Sequence, residues 1–252
     1  MLNNATLNQL RELKLPAMAE CFRARQNRTD LGSLSFEEQF AFLVEAEWLH
    51  RRNKRDERLV RQAAFRFPAV IEDIDWQSKK GIQKPDIIKH SLGGYIKKAQ
   101  NIILCGPTGV GKTYIACALG HSACIQGTKV TYIRLTDYFQ KVSEAYEGEI
   151  KNACFRDKCA AAPLLILDDW GIKKFSLDET DELTNLFERR YGRVSTIFSS
   201  QIPSADWHEL FPDPTQADSI LDRIVHNAYT YSITGESMRK TLGKRSLESP
   251  DN

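Results

Sequence analysis

The chain has 252 residues, 42% hydrophobic and 27% charged, with 35 basic against 33 acidic side chains and a formal net charge of +2. This suits one large domain, or one domain with a small extra module, and at near-neutral charge any nucleic-acid signal must come from local clustering. No run approaches the roughly 18 apolar residues of a membrane span, the first residues lack a secretion signal's layout, and the six cysteines form no C-x-x-C. These features argue against membrane, secreted, disulfide-framework and zinc classes, and point to the cytoplasm.

Residues 1–75 read as helical. Leu7, Leu10, Leu13 and Leu15, then Met18 and Phe22, recur at near-helical spacing, with Pro16 marking a break or a new start. Ser35-x-x-Glu38 has the form of a capping box, opening the pattern Phe36, Phe40, Leu43, Val44. Between 51 and 66 stand seven basic residues (51, 52, 54, 55, 58, 61 and 66) and two acidic ones. Arg51, Arg55 and Arg58 share a helix face, with Arg66 two turns further on. Arg51, Arg52, Lys54, Arg55 and Arg58 are therefore candidates for a row of DNA phosphates. The competing reading is a solvated helix supported by its own carboxylates. Pro68 closes this module. Residues 77–90 are polar, contain Gly81 and Pro85, and read as a linker with room for one helical turn; a short helix is expected within Leu92 to Lys98.

Next comes the stretch that organises the rest. Ile102 to Cys105 is a short apolar run suited to a doubly buried strand, and Tyr114 to Ala123 reads as helix. Between them, Gly106-Pro107-Thr108-Gly109-Val110-Gly111-Lys112-Thr113 matches the phosphate-loop pattern G-x-x-x-x-G-K-[ST] at every fixed position. Glycines let backbone N–H groups turn inward around an anion, and the helix start adds partial positive charge. Gly106 to Tyr114 are thus expected to hold ATP. Lys112 would reach the β/γ-phosphates and the Thr113 hydroxyl would sit on Mg2+.

Downstream, further strands are expected at Lys129–Arg134, Pro163–Leu167, Ser195–Ser199 and Tyr229–Ile233, with helices at Thr136–Ala145 and Asp178–Tyr191. Alternation of this kind implies parallel βαβ units. Leu164-Leu-Ile-Leu-Asp168-Asp169 is a Walker B pattern, in which Asp168 would hold Mg2+ and Asp169 polarise the attacking water. Many ATPases carry Glu there, so Asp169 sets its carboxylate back by one methylene. Ser199-Ser200-Gln201 ends the strand between the other two, where polar side chains could meet the γ-phosphate or merely cap a loop.

Taken together and in order, the phosphate loop, Leu-Leu-Ile-Leu-Asp-Asp-Trp-Gly171, Ser-Ser-Gln-Ile-Pro203, Asp213-Pro-Thr through Ile220-Leu-Asp-Arg-Ile-Val-His-Asn227, and Gly235-Glu-Ser-Met-Arg-Lys240 resemble the IstB family. These are ATP-dependent helpers of insertion-sequence transposition, related to the DnaC helicase loaders within the AAA+ class. The resemblance covers nearly the whole chain. It implies an α/β P-loop core at 76–252 with a parallel five-stranded sheet in the order 5-1-4-3-2. A small helical N-terminal domain at 1–75, for DNA binding or oligomerisation, precedes it. It places Gln201 or Ser200 at the sensor I position, Arg223 at that of an arginine finger serving a neighbour's ATP, and Arg239 at sensor II. Arg189, Arg190 and Arg193 compete for the finger or could face DNA. The nineteen residues after Ile233 are too few for the helical lid of many AAA+ proteins, so a neighbouring subunit is expected to enclose the nucleotide. The implied function is an ATPase that oligomerises on duplex DNA, selects or remodels transposition targets, and recruits or activates its cognate transposase. The alternatives are a DnaC-type replicative helicase loader, a small-molecule kinase, and a scaffold that holds ATP without hydrolysing it.

Overall fold

In a computed structural model, residues 2–26, 35–77, 79–147 and 153–235 are described. Two units emerge, Met1–Arg58 and Leu59–Asn252. The first contains α1 (Leu2–Glu12), α2 (Pro16–Gln26) and most of α3 (Phe36–Ala63). Pro16 opens α2, where its missing N–H has no helical partner to lose. The capping box at the start of α3 is formed: Glu38 N donates to Ser35 Oγ at 3.2 Å and Ser35 N to Glu38 Oε2 at 2.8 Å.

Glu47 and Arg51 tie the α1–α2 turn to α3. Glu47 Oε2 accepts from the N–H groups of Ala17 (3.0 Å) and Met18 (3.2 Å), the unpaired donors at the start of α2. Arg51 donates to Glu47 Oε1 and to the Lys14 carbonyl, both at 2.9 Å. Burial opposes the charge on Glu47, but Arg51 and the N–H groups of Met18 and Ala17 outweigh it and hold the carboxyl below its ordinary value. A carboxyl whose pKa falls on folding stabilises above its unfolded pKa, and that contribution disappears as pH drops through the folded one. The first unit should therefore loosen as pH falls below the ordinary carboxylate range. Glu47→Gln should lose about 1 kcal/mol at neutral pH, the worth of a helix cap, and flatten that acid dependence. Hydrogen exchange at Ala17 and Met18 against pH is the check; equal profiles would refute it.

The second unit begins inside α3 rather than at residue 76, because Leu59, Ala63, Ala69, Ile71 and Ile74 are buried in its core. The expected linker is folded as well: it forms β1 (Lys79–Lys80) and the two-turn helix α4 (Lys84–Ser91). Pro85 lies in the first turn of α4 and Ile87 is fully buried, so a polar composition concealed one anchored face. Then follow α5 (Gly94–Lys97), β2 (Asn101–Cys105), α6 (Lys112–Ile125), β3 (Val130–Arg134), α7 (Leu135–Glu147) and α8 (Ala153–Ala161). The remainder is β4 (Leu164–Trp170), α9 (Leu177–Arg190), β5 (Ser195–Ser200), α10 (Pro214–Val225), β6 (Ala228–Ser232) and β7 (Thr234–Gly235). No described helix is long and apolar enough to cross a membrane.

Five strands form one parallel sheet in the order β3-β4-β5-β2-β6, which is 5-1-4-3-2 counted from the phosphate-loop strand. A two-stranded antiparallel pair, β1 with β7, stands apart from it. Alternate strand residues divide between two cores. Ile102, Leu104, Leu164 and Ile166 pack with α6; Ile103, Cys105, Leu165 and Leu167 pack with α7 to α10. In the second core Trp170 is ringed by Phe175, Phe187, Phe198 and Trp207, at centroid distances of 5.1–6.0 Å.

Arg190 is buried in this sheet's lower edge rather than offered to DNA or a neighbour. It donates to Thr196 Oγ1 (3.0 Å) and to the carbonyls of Cys159 (2.6 Å), Ala162 (3.0 Å) and Ser195. Burial pushes its pKa down to about 9. Arg189 is exposed and paired with Asp157 at 2.7 Å.

Candidate nucleotide site

The carboxyl ends of β2, β4 and β5 lie side by side, the position at which open α/β sheets take ligands. At the end of β2 the chain must slip beneath the strand leaving β6. Gly106 has φ +147°, and a Cβ there would lie 2.0 Å from the Ile233 carbonyl oxygen. Only glycine fits. Ile233 N donates to the Cys105 carbonyl at 2.7 Å, and Gly106 N to the Ser200 carbonyl at 3.2 Å, which pins the loop to both neighbouring strands. Gly109 and Gly111, at φ +90° and +96°, turn the chain through Val110 into the first residue of α6, Lys112. Lys112 is buried, with Nζ donating to the carbonyls of Gly106 (2.7 Å) and Pro107 (2.9 Å).

Thr113 Oγ1 donates to Asp168 Oδ1 at 2.8 Å, which brings together the two residues that the sequence suggests as magnesium ligands. Two further residues converge there that the sequence reading did not place. Tyr132 on β3 donates its hydroxyl to Asp168 Oδ2 at 2.8 Å. Arg66 Nη1 lies 3.7 Å from Asp168 Oδ2 and 3.7 Å from Asp169 Oδ2. Arg66 is thus part of the carboxylate site, not an extension of the basic row on α3. A hydroxylated residue in a buried parallel strand was a usable clue to Tyr132; nothing local marked Arg66. Asp169 is left-handed, φ +60°, within the register break between Leu167 and Trp170. Burial, then the adjacent Asp168 charge, raises its carboxyl above the ordinary value, opposed by Arg66, Arg134 and Lys112.

Of the two sensor I candidates, Ser200 is committed to a turn, bonded to both the N–H and the carbonyl of Ile202. Gln201 is exposed and accepts from Thr108 Oγ1 of the phosphate loop at 2.8 Å. The Tyr114 ring packs against the core and lies 6.4 Å from that of Phe67. Arg223 belongs to the other edge of the sheet. The end of α10 is held there by Asn101, whose Nδ2 donates to the Ile224 carbonyl at 3.0 Å, and β2 puts roughly 15 Å between that edge and the phosphate loop. Arg223 itself is bonded to the Ser219 carbonyl at 2.6 Å and paired with Glu188 at 3.4 Å. Arg239 lies outside the described residues.

On α3, the five candidate DNA contacts are exposed but not equivalent. Arg51 is held by Glu47, and Arg55 is forked onto Asp56 at 2.9 and 3.0 Å. Arg52 lies over Trp48 and 3.9 Å from Asp56. Lys54 and Arg58 make no ion pair among the described residues.

These groups fit a nucleoside triphosphate with Mg2+. The glycine cradle at Gly106 excludes any side chain, and Thr113 with Asp168 supplies hard oxygen donors. Among the described residues no cluster of three His, Cys, Asp or Glu could hold a metal alone. Magnesium would rest on Thr113 and Asp168 together with phosphate oxygens, its common mode.

A parallel sheet wound in this order around a phosphate loop is the AAA+ arrangement. The solved structures of DnaI (TM-score 0.57, 21% identity, 68% of this chain and 90% of that one) and of the DnaC helicase loader (0.53, 17%, 60% and 88%) share the fold. Within that class the match is narrower: residues 8–246 fit the family described as IstB-like ATP binding protein, and the chain belongs to it. Two Sinorhizobium fredii insertion sequence ATP-binding proteins are 38% identical over 98% of this chain and all of theirs, and 40% over 95% and 96%. The IS21 ATP-binding protein of Pseudomonas aeruginosa is 31% identical over 82% of this chain and 77% of its own.

Proposed function

We propose that the protein hydrolyses ATP with Mg2+, assembles head to tail on duplex DNA, and there selects or remodels a transposition target and recruits its cognate transposase. The names of its relatives support the insertion-sequence setting. The observation that carries assembly is the position of Arg223, at the sheet edge opposite its own phosphate loop. A guanidinium there is out of reach of the nucleotide in its own subunit and suits a neighbour's. Lys112 binds and orients the β/γ-phosphates, Asp169 orients water, Gln201 senses the γ-phosphate from just beyond the end of β5, and Arg239 is assigned the sensor II role. Mg2+, when bound, would neutralise charge on the phosphates. Exposed basic groups on α3 give affinity for the DNA backbone that is salt-dependent and weakly selective.

Sedimentation with a duplex of several helical turns tests this reading. Assembly is expected with ATP, not with ADP, and not with Arg223→Ala, whose DNA-dependent hydrolysis should fall about 10³-fold if it is an arginine finger. Assembly confined to single strands would favour a helicase loader. A monomer in every condition would sink the proposal.

A further inference from the structure

Arg66 sits three residues beyond the end of α3, in a segment laid along α6. Ala64, at φ +55°, stops the helix. Phe65 packs so closely on α6 that a Cβ at Gly120 would lie 2.6 Å from its ring. The Phe67 ring faces Tyr114, one residue after Thr113, and the Arg66 guanidinium lies 5.6 Å from that ring. A single nitrogen, Nη1, therefore reaches both acids of the Walker B pair at 3.7 Å, an ion-pair distance too long for a strong hydrogen bond. Two adjacent carboxylates, one of them fully buried, need a nearby cation, and this is a loosely held one.

We propose that Arg66 is a positioning residue that serves as resident counter-ion for Asp168 and Asp169, and that it yields them when Mg2+ binds with nucleotide. A guanidinium and a divalent cation drawn to the same carboxylate repel one another even at the effective dielectric of a protein surface. Arg66 then moves off, and residues 64–67, immediately after the helix that carries the basic row, register whether the site is loaded. The inference rests on reading Asp168 as the residue that would hold Mg2+.

The test measures the full chain's affinity for a non-hydrolysable ATP analogue with Mg2+ and with EDTA, and takes the ratio. Arg66→Gln should raise that ratio about fivefold by removing the competing charge. Arg66→Lys, which keeps the charge, should stay near wild type. In the wild type, hydrogen exchange over residues 64–70 should quicken with analogue plus Mg2+ but not with analogue plus EDTA. An unchanged or lowered ratio in Arg66→Gln, or identical exchange in the two conditions, overturns the proposal. Asp168→Asn separates the two readings. If it erases the Mg2+ dependence while Arg66→Gln does nothing, only the role of Arg66 fails; if it leaves the dependence intact, the magnesium reading fails and this one with it.

Discussion

Lys112→Ala should lower ATP-dependent phosphate release by about 10²-fold or more, the scale on which a preorganised donor to a reacting oxygen acts. The ammonium is held inside the phosphate loop, on the carbonyls of Gly106 and Pro107, so it needs little reorganisation to meet an incoming phosphate. Removing it leaves those two carbonyls where water can reach them, since Gly106 is half-buried and Pro107 exposed. The variant should therefore melt close to wild type without nucleotide. With ATP and Mg2+ the wild type should gain stability as RT ln(1 + [L]/Kd), and the variant should gain almost none. A calorimetric scan with and without nucleotide, beside a phosphate-release assay, checks both halves. If Lys112→Ala hydrolyses ATP at the wild-type rate, the loop is not the catalytic site.

The largest stability effect is expected far from that loop. Arg190→Met keeps the length of the side chain and removes every donor. It strands the carbonyls of Cys159, Ala162 and Ser195 and the Thr196 hydroxyl in a dry interior. Each orphaned acceptor is worth about 1–3 kcal/mol, offset in part because a costly buried charge has gone. The net loss should be about 3 kcal/mol, or roughly 6–12 °C in Tm for a chain of this size. Arg190→Lys should fall between, because an ammonium offers three donors to a site built for a planar fork. Thermal unfolding of the three proteins decides it. A Met variant as stable as wild type would mean that the network merely offsets the charge it buries.

These two arginine and lysine positions show what was legible in the sequence. The phosphate loop, the Walker B strand and the alternation of strands and helices are local patterns, and the sheet order followed once the family was recognised. Arg190 could not be read, because a charge at a helix end looks the same in sequence whether it meets solvent or a ring of carbonyls. Arg66 was misread for a related reason: it closes a basic run in the chain but turns to carboxylates about a hundred residues away. Helices α4 and α8 were not read in full because they are short, and one or two buried residues such as Ile87 and Cys159 anchor them rather than a long apolar period; α10 did carry such a period, Ala217, Ile220 and Ile224, and was missed all the same. Gln201 could be separated from Ser200 only when the turn at Ile202 was seen to occupy the serine.

The left-handed backbone at Asp169 bears on which side chains this position accepts. Among residues with a Cβ, Asp and Asn visit that region most readily, because a short polar group can bond locally; others meet a penalty of roughly 1–2 kcal/mol. The acid here is thus chosen by the fold of its own main chain as well as by the water it would orient. Converting this site to the glutamate common in other ATPases is accordingly more than the addition of one methylene: it also places that backbone penalty at the kink between Leu167 and Trp170.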